Sequence, residues 1–153
     1  RSFAPRTRGA NRISGGFSIM GTLTGGCLCG GVRYEVEEPL TALGDCHCID
    51  CRRSSGAPYV TWGTVPRSQR RIQGATRRVH HAGRVRVFAA CCGTHLFFEE
   101  DEESDTIDVT IATLDDPVPH APAKAIWLED HLPWVPLNPA VPKYAQSSAA
   151  EGS

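Results

Sequence analysis

The residues best equipped for chemistry in this chain are its seven cysteines, which fall in three groups. Cys27 and Cys29 form C-x-C in GGCLCGG. Cys46, Cys48 and Cys51 form C-x-C-x-x-C in DCHCIDC, and Cys91 and Cys92 are adjacent in AACCGT. In an extended segment residues i and i+2 point to the same face. Cys27 can therefore converge with Cys29, and Cys46 with Cys48, while Cys51 can close the second set from a turn. Thiolate-rich sets of this kind select Zn²⁺, held tetrahedrally at about 2.3 Å per sulfur. An odd number of cysteines cannot all pair as disulfides. A thioredoxin-like redox C-x-x-C at Cys48 and Cys51 belongs with a βαβ pattern, which this chain lacks. Buried cysteines are often inert small hydrophobes, but three within six residues do not fit that role.

The elements that must position these groups read as short strands. VRYEV (32–36), YVTWGTV (59–65), RVRVF (84–88), THLFFEE (94–100), TIDVTIAT (106–113) and KAIWLED (124–130) carry β-branched and aromatic residues, several in strict alternation. Val32, Tyr34 and Val36 share one face of the first of these. CIDCRRSS (48–55) is the single short helix, ended by Gly56 and Pro58. Seven of the 11 prolines fall between Pro117 and Pro142, which predicts an extended, irregular wrap over the sheets. The class is all-β. A chain of 153 residues corresponds to one domain, read as 20–145. Residues 1–19 contain four arginines and no acid or apolar core of a secretory signal. They read as a disordered extension whose composition fits a transit peptide or, the preferred reading, translated upstream sequence before a start at Met20, after which the domain begins. Residues 146–153 read as a loose tail. With no signal sequence and no apolar run of membrane-spanning length, a cytoplasmic setting is expected.

Charge is uneven. Nine arginines and no acid lie between Arg52 and Phe98, and six acids follow in Glu99–Asp105. Setting aside the four N-terminal arginines leaves 12 basic residues against 17 acidic ones, which argues against a general nucleic-acid binder. Alternation places Arg84 and Arg86 on the outer face of their strand. They are expected, with Arg67, Arg70, Arg71, Arg77 and Arg78, to meet solvent or the Glu99–Asp105 loop. His47 points away from its neighbouring cysteines and is not expected to be a ligand. Asp115 and Asp116, before Pro117, read as turn residues.

GGCLCGGVRYEV, CHCIDCRRSSGAPYV, CGTHLFF, IDVTIATLDDP and IWLEDHLPW, in that order from Thr22 to Trp134, resemble the glutathione-dependent formaldehyde-activating enzyme family, which also includes centromere protein V. The resemblance implies a β-tent of short antiparallel strands with two zinc sites. One is a closed four-cysteine structural site, onto which Cys27, Cys29 and Cys92 map. The other is an open site of Cys46, Cys48 and Cys51, where the thiol of glutathione becomes the fourth ligand. The remaining structural ligand would stand at position 89, where this chain has Ala89. Either Cys91 substitutes, through a distorted turn, or the site keeps three cysteines with water or another side chain. The resemblance implies a carbon–sulfur lyase-type reaction of glutathione with formaldehyde giving S-hydroxymethylglutathione. Cys46, Cys48 and Cys51 are then the catalytic set. Arg52 and Arg53 would offer positive charge or fork a glutathione carboxylate, and Tyr59 and Trp127 would line the pocket. Family members often carry His two residues before Trp127, where this chain has Ala125. The alternative is a non-catalytic, zinc-stabilised binding module.

Overall fold

The computed structural model describes residues 21–148. The readings of 1–19 and of the end of the tail lie outside these residues. Ten strands and one helix are described: β1 (Thr22–Gly26), β2 (Arg33–Glu37), β3 (Thr41–Cys46), α1 (Ile49–Ser55), β4 (Val60–Pro66), β5 (Arg70–Gln73), β6 (Thr76–His81), β7 (Arg84–Ala89), β8 (His95–Glu99), β9 (Thr106–Thr110) and β10 (Ala125–Ile126). They form a three-stranded sheet, β1-β2-β5, and a seven-stranded sheet, β10-β3-β4-β9-β8-β7-β6. All pairings are antiparallel except β10 against β3. The fold is all-β.

Alternation decides which faces meet. Val32, Tyr34 and Val36 are buried, as are Val85 and Val87, Ile107 and Val109, with Leu96 and Phe97. Together they fill the space between the sheets as one apolar cluster. Removing this surface from water is the main favourable term. The edges of the Tyr34 and Phe97 rings meet at 4.9 Å between centroids. Asp115, expected in a turn, also ties segments together: it pairs with Arg33 and accepts the Thr24 hydroxyl at 2.6 Å.

β6 and β7 form a hairpin through Ala82 and Gly83, both at positive φ (51° and 77°). That is the backbone of a type I′ turn, whose twist matches the strands it joins. β6 itself is almost wholly exposed, so no apolar alternation announces it. The arginines of this region gather on one acid. Glu99 is fully buried and is met by Arg67 at 3.1 Å, Arg70 at 3.0 Å and Arg78 at 2.9 Å. Arg84 pairs with Glu100 at 2.7 Å. Arg86 departs from the expected solvent-facing position: it is buried, because its face of β7 is covered by Phe98 and by Asp50 of α1.

The helix forms as expected. Cys48 caps its N-terminus, accepting the Cys51 N–H at 3.3 Å, and Gly56 ends it at φ 68° with its N–H on the Arg52 carbonyl. The strand expected over 124–130 is a correction. Only Ala125 and Ile126 are extended; Trp127 takes a left-handed backbone (φ 59°), and Leu128–Asp130 form a 3₁₀ turn. The segment bonds instead to its C-terminal neighbour, with Tyr144 N–H on the Ala125 carbonyl and Trp127 N–H on Gln146. TIDVTIAT likewise leaves the sheet after Thr110. Residues 146–148 are tied in, Lys124 donating to the Ser148 hydroxyl at 2.7 Å, so the looseness expected from 146 does not include them.

Candidate metal centres

Two turns carry the first cluster. After β1 the chain turns at Cys27–Gly30, with Gly30 N–H on the Cys27 carbonyl and Gly30 at φ 79°. Between β7 and β8 a second turn carries Cys91 and Cys92 and closes through Gly93 (φ 75°), whose N–H reaches the Ala89 carbonyl. The Leu28 N–H donates to the Thr94 hydroxyl at 3.0 Å, joining the turns. The extended geometry expected for Cys27 and Cys29 is therefore a turn, and strand alternation does not govern Cys91 and Cys92. Both reach the cluster. Cys27 Sγ is 3.7 Å from Cys29 and 3.6 Å from Cys91; Cys29 is 3.2 Å from Cys91, and Cys91 is 4.0 Å from Cys92. All four sulfurs lie within 4.8 Å of one another. A tetrahedral ion about 2.3 Å from each sulfur would hold them about 3.8 Å apart, so the cluster fits such an ion with small adjustments. Gly31 keeps the space open, since a Cβ there would stand 3.0 Å from Cys91 Sγ. Ala89 ends β7 as a buried core residue.

The hydrogen bonds of these thiols favour a cation among them. Thr94 holds Cys92 down at about 6, and the Cys29 contact pushes Cys91 up to about 12. Cys27 is lowered as well, and four thiolates at these distances would need a divalent ion to offset their charge.

The second cluster forms where β3 runs into α1. Cys46 ends the strand, Cys48 caps the helix and Cys51 lies in its first turn, which brings three sulfurs within 4.8 Å. Cys46 and Cys51 are buried and Cys48 is half-buried. Hydrogen bonds from Cys48 and Cys51 push Cys46 far up, and bonds from Cys46 and Cys51 bring Cys48 down to about 2. Trp62 of β4 donates its indole N–H to Cys51 Sγ at 3.4 Å. The three cysteines lie on a cleft of about 600 Å³ whose walls include Trp62, Phe98 and Trp127.

Of the residues read from the sequence, Trp127 lines this cleft, and Arg52, Arg53 and Tyr59 do not. Arg53 is exposed on a shallower neighbouring cleft of about 460 Å³ that shares Asp50 and Arg86 with the first. Arg52 has a buried Nε without a partner. Tyr59 packs against His47 with the rings tilted and their centroids 5.0 Å apart, and His47 also meets His131 at 5.1 Å. Burial pushes His47 down to about 4, and it is not among the clustered ligand atoms. Sequence reasoning missed that one face of the large sheet forms the cleft wall. Arg86 lies opposite Phe98, Phe98 opposite Asp108, and Asp108 opposite Thr64. All four line the cleft, and their shared parity along the strands was the available signal.

These features define a class of all-β domain built around two clusters of thiols that could each hold a metal ion, one of four sulfurs near the surface and one of three in a cleft. The chain belongs to the glutathione-dependent formaldehyde-activating enzyme family, whose model matches residues 22–130. A crystal structure of a Rhodobacter sphaeroides protein is similar in fold, with a TM-score of 0.52 and 20% identity over 79% of this chain and 98% of that one. No curated protein matches the chain. No helix among the described residues is long and apolar enough to cross a membrane.

Proposed function

We propose that the chain is a zinc-dependent carbon–sulfur lyase-type enzyme acting on a thiol adduct, with glutathione and formaldehyde as its reactants. The observation that carries this reading is the difference in ligand number between the clusters. Structural zinc uses four protein ligands, whereas a site that acts on a substrate keeps one position free. Cys27, Cys29, Cys91 and Cys92 supply four sulfurs; Cys46, Cys48 and Cys51 supply three, on a cleft of the size that holds small ligands. Their chemistry as soft thiolates suits zinc. The seven free cysteines suit a reducing, cytoplasmic setting.

When bound, zinc supplies a lowered thiol pKa, so that an incoming thiol is present as thiolate. The chain's own residues bind and orient. The Trp62 N–H, 3.4 Å from Cys51 Sγ, takes up part of the negative charge that three thiolates bring. Phe98, Trp62 and Trp127 give the cleft an apolar wall beside the three sulfurs. In the reaction the glutathione sulfur bonds to the carbonyl carbon of formaldehyde and the C=O π pair moves to oxygen. The proton lost from the thiol is matched by one gained at that oxygen, giving the S-hydroxymethyl adduct. The reverse breaks the same carbon–sulfur bond. The gain is chiefly orientation of two small reactants. Arg53, beside the adjoining cleft, is a candidate for the outer part of a peptide thiol; Arg52 and Tyr59 are weaker ones, since both stand off the main cleft.

NMR exchange spectroscopy of glutathione and formaldehyde, with and without protein, tests this. Acceleration by catalytic amounts of protein is the expected result. No acceleration, together with no glutathione binding, would overturn it. The alternative of a non-catalytic binding module draws on Ala125, a buried residue without acid–base chemistry; glutathione bound without turnover would favour that module.

A further inference from the structure

One charged group in the cleft has bonding out of keeping with its burial. The Arg86 side chain is 6% exposed, yet its one charged partner among the described residues is Asp50, at 3.5 Å. That is the long limit of a hydrogen bond. Its Nε is buried without an acceptor among the described residues. A guanidinium carries five donors, and buried charges are ordinarily paired and fully hydrogen-bonded because desolvating them is costly. Glu99, buried on the same sheet, sets the standard with three arginines within 3.1 Å.

The surroundings hold Arg86 in place without satisfying it. Its guanidinium lies over the Phe98 ring at 5.3 Å, a cation–π contact. Three other acids of the cleft are engaged elsewhere: Glu100 with Arg84 at 2.7 Å, Asp108 with the Thr64 hydroxyl at 2.6 Å, and Asp130 with the Ile49 N–H at 3.1 Å. The other cations are occupied too, Arg84 by Glu100 and Lys124 by Ser148. Phe98 packs against Trp62, and Trp62 donates to Cys51, so Arg86 and the three sulfurs are joined through two aromatic side chains. Arg86 also stands on the wall that the two clefts share.

We propose that Arg86 is the specificity residue of the cleft, selecting thiols that carry a carboxylate by forking that carboxylate with its guanidinium. This rests on the reading of Cys46, Cys48 and Cys51 as the thiol site. A thiol with its sulfur at the cysteines and its carboxylate on Arg86 fills the apolar wall between them. An uncharged thiol of the same size leaves the guanidinium as underbonded as it is now.

The test is isothermal titration of the zinc-loaded protein with glutathione and with its dimethyl ester, in which both carboxylates are neutral. Wild type is expected to bind the acid about tenfold or more tightly than the ester, as a charge-assisted pair predicts. That preference should shrink with added salt. Arg86→Gln should abolish the preference while leaving the ester's affinity and the zinc content unchanged, and Arg86→Lys should recover part of it. Equal binding of acid and ester by wild type would overturn the proposal and leave the thiol site standing, as would a full preference in Arg86→Gln. Binding of neither thiol by wild type would overturn the thiol-site reading and this inference with it. Should Arg86→Gln not fold, Arg86→Lys decides: a reduced preference supports the assignment and an unchanged one overturns it.

Discussion

Cys27, Cys29, Cys91 and Cys92 sit on two facing turns near the surface, two of them exposed. Cys46, Cys48 and Cys51 sit where a strand becomes a helix, two of them buried, on a cleft of about 600 Å³. The set with more sulfurs is the one left nearer to water. A site complete in protein ligands needs no shelter, since nothing outside has to enter it; with an ion bound it would clamp two turns that are 62–64 residues apart in the chain. A site with three ligands is sheltered because what joins it must be held in a fixed orientation away from bulk water. On the function proposed above, the two clusters would separate a folding role from a reactive one within a single small domain.

That division breaks most visibly at the four-cysteine cluster. Structural zinc supplies on the order of 10 kcal/mol of folding free energy, as much as a domain's whole stability. Cys27→Ser should therefore leave the protein unfolded at 25 °C by circular dichroism, as should prolonged chelation. A folded Cys27→Ser protein would remove the structural half of the comparison.

Next in size is a stabilising device that involves neither cluster. Burial raises the Glu99 carboxyl, but the hydrogen bonds from Arg78 and Arg70 outweigh it and hold it below its ordinary 4.5. A depressed carboxylate contributes stability that is present above pH 4.5 and is lost as pH falls through the lower folded value. Glu99→Gln should cost about 3 kcal/mol at pH 7, because it removes the charge that half-buried Arg67 and Arg70 and the more exposed Arg78 bond to. The gap to wild type should narrow below pH 4.5, read from urea midpoints. Zinc content and glutathione binding per folded molecule should be unchanged.

Cys46→Ser reverses the pattern of Cys27→Ser. It should lower turnover by on the order of 100-fold or more, since even outer partners of a metal ligand are worth 10–100-fold, while the protein stays folded. Trp62→Phe is a smaller perturbation of the same centre. It removes the N–H on Cys51 Sγ and keeps an aromatic wall, so glutathione affinity should fall about tenfold with the four-cysteine cluster intact. Equal losses of stability and turnover in either variant would mean that the clusters do not divide the work as described.

Much of this arrangement is legible from the sequence where side-chain period and chemistry agree. Val32, Tyr34 and Val36 alternate because one sheet face is buried, and the helix 49–55 is bounded by Cys48 and Gly56. The three-cysteine set is legible for the same reason: Cys46 and Cys48 flank one residue at the end of a strand. The rest depends on tertiary contacts. β3 (TALGDC) has few strand-forming residues and is held by its neighbours β4 and β10. Cys91 and Cys92 share a cluster because a Gly93-closed turn overrides alternation. Arg86 looks solvent-facing by parity and is buried because Phe98 and Asp50 cover that face. Local pattern sets which faces of a strand differ, and only the assembled sheets set what covers each face.

Native mass spectrometry of the intact protein, with and without glutathione, tests the division between the clusters most directly. The expected masses are two zinc ions per chain, and one glutathione retained when it is added. Cys46→Ser should lose the glutathione while keeping the ion of the four-cysteine cluster. One ion per wild-type chain, or glutathione retained by Cys46→Ser, would contradict the assignment of one complete and one open site.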